Sequence, residues 1–273
     1  LREAVEAGRY TPELDDVNRT LTKARNGPPW ARVHEYRFGR FVVRSDIDRQ
    51  ACLDASRTLG TALALFEKWL RPLPAERREP FSVYLFSGQW GYLSYGADVL
   101  EFAPENTAGV YSPWLQQLLI WNLPERAEML ATVRHEAFHQ YLDCLVGVTP
   151  MWLNEGMAEV WEAADTKHFN GRDVEVALEH VSVLQSLDGL VPLEHFLYMD
   201  RSEFMANAGL HYAQAWALCH MLFEDSRSGR HRLLSLLDRL RAGDTPEEAT
   251  RAAFHGEDLR RLDARLADYV AGL

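Results

Sequence analysis

Cysteine is scarce in this chain, and the three present, Cys52, Cys144 and Cys219, lie far apart with no second cysteine at CxxC spacing. That excludes a thiolate metal knot or a CxxC redox pair, and an odd count does not make a disulfide framework. Cys144 and Cys219 fall in apolar helical stretches, where cysteine packs as a small hydrophobe, so three buried free thiols are expected. Long apolar runs are missing too: none approaches the roughly 20 residues needed to cross a bilayer. Positive charge is in deficit, with 29 Lys and Arg against 40 Asp and Glu and a formal charge of -11. This argues against a nucleic acid or an anionic membrane surface as the main partner. Repeats and low-complexity segments are absent. No methionine opens the chain, which starts Leu1-Arg2-Glu3-Ala4. An upstream segment, a signal peptide or anchor among the options, is expected to have been removed, and the compartment stays unassigned between secreted, cell-envelope and cytoplasmic.

What is present is ample apolar material: 273 residues, 47% hydrophobic, enough for a sizeable core in one large domain or two small ones. Residues 1–29 read as an N-terminal extension that could be helical. Residues 30–147 read as an α/β sub-domain and 148–273 as a helical one. Strands are expected at 40–43 and 81–86, and a hairpin from 109–111 and 117–121. A helix is expected at 47–70, where Leu53, Leu59, Leu63, Phe66 and Leu70 recur at helical spacing before Pro72 and Pro74. Gly, Asn and Pro between Ser87 and Gly109 suggest loops, and whether Trp90, Tyr92, Tyr95 and Tyr111 line a cleft or pack is left undecided. Beyond Pro124 the apolar residues recur at three and four, with breaks near 147–150, 170–171, 188–189 and 242–243.

Pro124 and Gly147 bracket a helix whose apolar stripe includes Met129, Val133, Phe138, Tyr141 and Leu145. It carries His135-Glu136-Ala137-Phe138-His139. Histidines at i and i+4 share one face, so both imidazoles can reach one tetrahedral zinc ion. Glu136, about 100° further round, is free to act as general base toward a water whose pKa zinc lowers to about 7. Past Pro150, Trp152-Leu153-Asn154-Glu155-Gly156-Met157-Ala158-Glu159 suggests a second helix capped by Asn154. Glu155 can complete a two-histidine, one-glutamate site, and Glu159, one turn on, can accept from a ligand's ring N–H. The metzincin pattern HExxHxxGxxH is excluded, since Leu145 stands where its third histidine would be.

These two segments resemble the gluzincin zinc metallopeptidases, in which HExxH precedes a helix with an Asn-Glu signature. The segment Pro150 to Glu159 is similar to the PxWLxEGxAE stretch of the peptidase MA-like group. Fifteen residues separate His139 from Glu155, fewer than in the M1 aminopeptidases, and no GAMEN-like strand is recognisable. The resemblance covers roughly residues 40 to 270. It implies an α+β, zincin-like fold, one Zn2+ held by His135, His139 and Glu155, Glu136 as base, Glu159 supporting a ligand, and a peptide or protein substrate. It also implies that Tyr212, in Tyr212-Ala213-Gln214-Ala215-Trp216, points at the zinc and steadies an oxyanion. His211 is the adjacent alternative, with a surface position the plainer reading. The other histidines carry no metal-ligand spacing, and Asp143 reads as a solvated position. Two competing readings are a hydrolase of a non-protein amide and an inactive zincin-fold scaffold. Retention of Glu136 weighs against the scaffold.

Overall fold

Residues 41–45, 81–86 and 117–121 are apolar with little alternation, the pattern of strands buried on both faces. A computed structural model, which describes residues 12–74, 80–100, 105–164, 175–187, 189–224 and 227–273, places them at the centre of a five-stranded sheet. Its strands are β1 (His34–Phe38), β2 (Phe41–Ser45), β3 (Phe81–Phe86), β4 (Gly109–Ser112) and β5 (Gln117–Trp121), in the order β1-β2-β3-β5-β4. The β2/β3 and β3/β5 pairs are parallel, and the outer pairs β1/β2 and β4/β5 are antiparallel. The hairpin expected at 109–121 is present in that register.

Strand β1 was not anticipated. Its sequence, His-Glu-Tyr-Arg-Phe, is mostly polar because it lies at the sheet's edge, where charge deters further pairing. Glu35 takes hydrogen bonds from Arg37 and, across the β1/β2 pair, from Arg44. A second correction concerns residues 89–99, expected as loop and found as a helix, α3 (Gln89–Val99). Glycines at 88, 91 and 96 hide its periodicity and no side chain caps it, so packing holds it. Tyr92, Tyr95 and Val99 bury against Tyr84, Phe86 and Leu119. Tyr92, Tyr95 and Tyr111 are therefore core residues, whereas Trp90 is 82% exposed.

The contacts divide the chain into two compact units, Leu1–Ser56 with Pro80–Met129, and Arg57–Glu79 with Leu130–Leu273. The first holds the sheet, α3 and an N-terminal helix α1 (Pro12–Asn26). Helix α2 (Arg49–Trp69) begins in the first and ends in the second, as does α4 (Arg126–Leu145). The second unit is otherwise helical: α5 (Met151–Ala163), α6 (Leu178–Gln185), α7 (Leu193–Phe196), α8 (Arg201–Ala206), α9 (Ala208–Glu224), α10 (Arg227–Arg241), α11 (Pro246–Ala253) and α12 (Leu259–Ala271). The architecture is thus α+β, a small N-terminal mixed sheet followed by a mostly helical C-terminal half. The breaks at 147–150 and 242–243 fall between helices. Residues 170–171 and Asp188 lie outside the described residues. Among the described residues no helix is long and apolar enough to cross a membrane.

In the second unit Phe66 packs edge-on to Phe138 (5.2 Å) and Trp161 (5.0 Å), joining α2, α4 and α5. The Tyr141 hydroxyl donates to the Arg71 carbonyl at 2.6 Å and accepts from its N–H at 2.9 Å. Gly147, at φ +77°, stops α4 by adopting the left-handed conformation that glycine takes without strain, its N–H returning to the Leu142 and Asp143 carbonyls. Helix α5 starts earlier than expected. Pro150 is its N-cap, and Asn154 lies inside it with its N–H on the Pro150 carbonyl. The reason is that Trp152 and Leu153 are core residues, buried to 1% exposure, so they enter the helix and leave the Asn154 side chain free for another partner. Cys52, Cys144 and Cys219 are all buried free thiols.

Candidate metal centre

Helix α4 sets His135 and His139 one turn apart, with ring centroids 4.7 Å from each other. Helix α5 brings Glu155 to both. Its Oε2 lies 3.8 Å from His135 Nε2 and 3.5 Å from His139 Nε2. The three residues each offer a ligand atom within 4.8 Å of the others, and the group could hold a metal ion.

The far sides of the rings are taken. His135 Nδ1 lies 2.7 Å from Glu162 Oε2, and His139 Nδ1 lies 3.1 Å from Asn154 Oδ1. An amide oxygen and a carboxylate only accept, so both Nδ1 atoms are donors. In the neutral ring each Nε2 then carries its lone pair toward Glu155, and three acceptors converge with no donor between them. Such a set is repulsive unless a cation, or a proton, stands among them. The donor set fits a divalent ion of intermediate softness.

The surrounding charge agrees. Burial pushes the Glu155 carboxyl up, but the charges of His139 and His135 and the Tyr212 hydroxyl outweigh it and bring it to about 2. At His135 burial disfavours the charged ring, yet the neighbouring carboxylates, Glu155 and Glu162 foremost, raise its pKa well above the usual histidine value. Binding a metal would displace that proton. Glu136, on α4 and 7% exposed, has its carboxyl raised by burial, partly offset by the charges of His139 and His135. Tyr212, on α9, is half-buried, and its hydroxyl helps to lower the Glu155 carboxyl. Burial first and the Glu155 charge second push its phenol far above the ordinary range, so it keeps its proton and donates.

Glu159 stands between two histidine rings. Its Oε1 is 3.6 Å from His135 Nδ1, while its Oε2 meets His180 Nε2 at 2.8 Å. Glu162, one turn further along the same face, is the acceptor for His135. Neither Glu162 nor His180 stood out in the sequence. Glu162 is seven residues beyond Glu155, hence on its side of α5, and that spacing was the available signal. His180 comes from another helix, and nothing local marks it. His211 is not a surface residue: it is 6% exposed, with Nδ1 2.7 Å from the Phe204 carbonyl oxygen. Tyr212, not His211, acts on the Glu155 carboxyl.

Two imidazoles and a carboxylate facing a common point, with both imidazoles oriented from behind, make this a candidate metal centre of the two-histidine, one-glutamate class. Residues 129–241 match a family described as "Protein of unknown function (DUF1570)", and that stretch contains every residue of the centre. No curated protein matches. Among solved structures, the chain is similar to an M1 zinc metallopeptidase from Deinococcus radiodurans, at 15% identity over 89% of this chain and 49% of the other, with a TM-score of 0.49. The chain therefore spans about half the length of that protein.

Proposed function

We propose that this protein is a zinc-dependent hydrolase of peptide bonds, of the gluzincin type its motifs resemble. The observation that carries the reading is the convergence of His135 Nε2 and His139 Nε2 on Glu155 Oε2, with Glu162 and Asn154 holding both Nδ1 atoms. His135, His139 and Glu155 would hold the ion. When bound, zinc acts as a Lewis acid that polarises a carbonyl and acidifies water.

The chain's own groups do the rest. Burial makes the Glu136 carboxylate more basic, so it takes a proton from the attacking water and passes it to the leaving amine. Tyr212 keeps its phenolic proton and donates it as a hydrogen bond to the oxygen on which charge develops. Glu162 and Asn154 keep the imidazoles in the ligating tautomer. A scaffold that only bound zinc would have no use for Glu136 beside the imidazoles.

The test is zinc content and peptide hydrolysis measured together in unaltered protein, Glu155→Ala and Glu136→Gln. The expected result is stoichiometric zinc and cleavage in the first, impaired zinc binding in the second, and zinc without cleavage in the third. Zinc without cleavage of any peptide by the unaltered protein would leave a scaffold or a non-peptide amide hydrolase as the better reading. No zinc at all would end the proposal.

A further inference from the structure

The bond from His135 to Glu162 depends on where the last turn of α5 lies, and one side chain of α4 donates to that turn. Arg134 precedes His135 on α4. Its Nε donates to the Trp161 carbonyl at 3.0 Å and its Nη2 to the Glu162 carbonyl, while Nη1 lies 3.4 Å from the Leu130 carbonyl. Trp161 and Glu162 sit in the final turn of α5, which ends at Ala163, and carbonyls there have no N–H one turn ahead within the helix. A guanidinium is suited to them: its fork of donors meets two carbonyls, and its charge sits at the negative end of the helix dipole. The contacts close a ring. His135 is bonded through its Nδ1 to the Glu162 side chain, the Glu162 carbonyl to Arg134, and Arg134 through the backbone to His135.

We propose that Arg134 is a positioning residue for the metal ligand His135, acting by anchoring the last turn of α5 so that Glu162 meets His135 Nδ1. The inference rests on the zinc site proposed above. The other carboxylate near that nitrogen, Glu159, is 3.6 Å away and engaged by His180, so it does not hold the ring in the same way. With Arg134 absent the terminal carbonyls lose their donors, the turn is freer, and the Glu162 carboxylate no longer has a fixed position from which to orient the imidazole. Arg134 touches neither ion nor substrate in this scheme; its effect on the site passes through Glu162.

The test is zinc affinity of the full chain, titrated with zinc against a competing chromophoric chelator, in Arg134→Ala, Arg134→Lys, Glu162→Ala, Glu162→Gln and the double variant Arg134→Ala with Glu162→Ala. Loss of an orienting partner of a ligand histidine weakens metal binding about ten- to a hundredfold. Glu162→Ala is expected in that range and Arg134→Ala near its lower end. Arg134→Lys, with one ammonium in place of the fork, should recover part of the loss, and Glu162→Gln, which keeps an acceptor oxygen, should be milder than Glu162→Ala. The decisive comparison is the double variant. If Arg134 acts through Glu162, removing it from Glu162→Ala weakens zinc binding by less than about twofold more. Equal zinc affinity in Arg134→Ala and unaltered protein, with only a lower melting temperature, would overturn the inference and leave Arg134 as a helix anchor alone. So would full additivity in the double variant. Failure of the unaltered protein to bind zinc removes the underlying site, and is distinct from either result.

Discussion

His135 has two carboxylates near its outer nitrogen, and the difference between 2.7 Å and 3.6 Å decides which of them orients it. Charge alone would not separate Glu162 from Glu159; hydrogen-bond reach does. The expected consequence is an asymmetry between their partners. Glu162→Ala should weaken zinc binding about ten- to a hundredfold, whereas His180→Ala, which frees Glu159 but leaves the His135–Glu162 bond intact, should change it only a few-fold. Competition titration reads both, and equal losses would mean that the Glu159–His180 pair supports the ligand as directly as Glu162 does. Tyr212→Phe is the other informative change. It removes one donor and little volume, so zinc should remain while turnover of a peptide falls by about a hundredfold or more. A fall in KM-dependent binding with unchanged kcat would instead assign Tyr212 to substrate binding.

At the scale of elements, the centre depends on how closely α5 and α9 approach. Glu155 is on one and Tyr212 on the other, and Gly156, next to Glu155, makes the approach possible: a Cβ there would lie 2.3 Å from the Ala215 carbonyl oxygen and 2.8 Å from Cys219 Sγ. The nearer of these is backbone and cannot step aside. Alanine in a helix interior is favoured over glycine by about 1 kcal/mol, but forcing helices apart in a packed core costs about 1–3 kcal/mol. Gly156→Ala is therefore expected to be net destabilising in chemical denaturation. It should also lower hydrolysis by separating Tyr212 from Glu155. A stabilised variant with full activity would show that α5 and α9 have more room than the structure gives them.

For the whole molecule, an ion held at the centre would matter to stability as well as to chemistry. Glu136, Glu155, Glu159 and Glu162 lie around two imidazoles in a largely buried setting, and a cation relieves their mutual repulsion. Free zinc at a thousand times its Kd would stabilise the fold by about 4 kcal/mol. Chelation of the full chain is accordingly expected to lower Tm by several degrees, and added zinc to restore it. A Tm indifferent to chelator would argue that no ion is held there.

Much of this was legible in one dimension. The repeat of 3.6 residues places His135 and His139 on one face of α4 and leaves Glu136 beside them, and the same repeat aligns Glu155, Glu159 and Glu162 along α5. Segments rich in β-branched and aromatic residues marked β2 and β3, and β5 was marked as one arm of a hairpin, because such side chains suit a pleated, buried surface. The polar edge strand β1 and the glycine-bearing α3 were illegible, since each is held by partners distant in sequence rather than by its own pattern. The same limit applied at the centre. Periodicity says which carboxylates share a face; which of them meets an imidazole depends on the path of α5 across α4, and that path is determined by the close contact at Gly156 and the donors of Arg134. Residue type and spacing thus determined the candidate ligands by themselves, and tertiary packing decided what holds each of them in place.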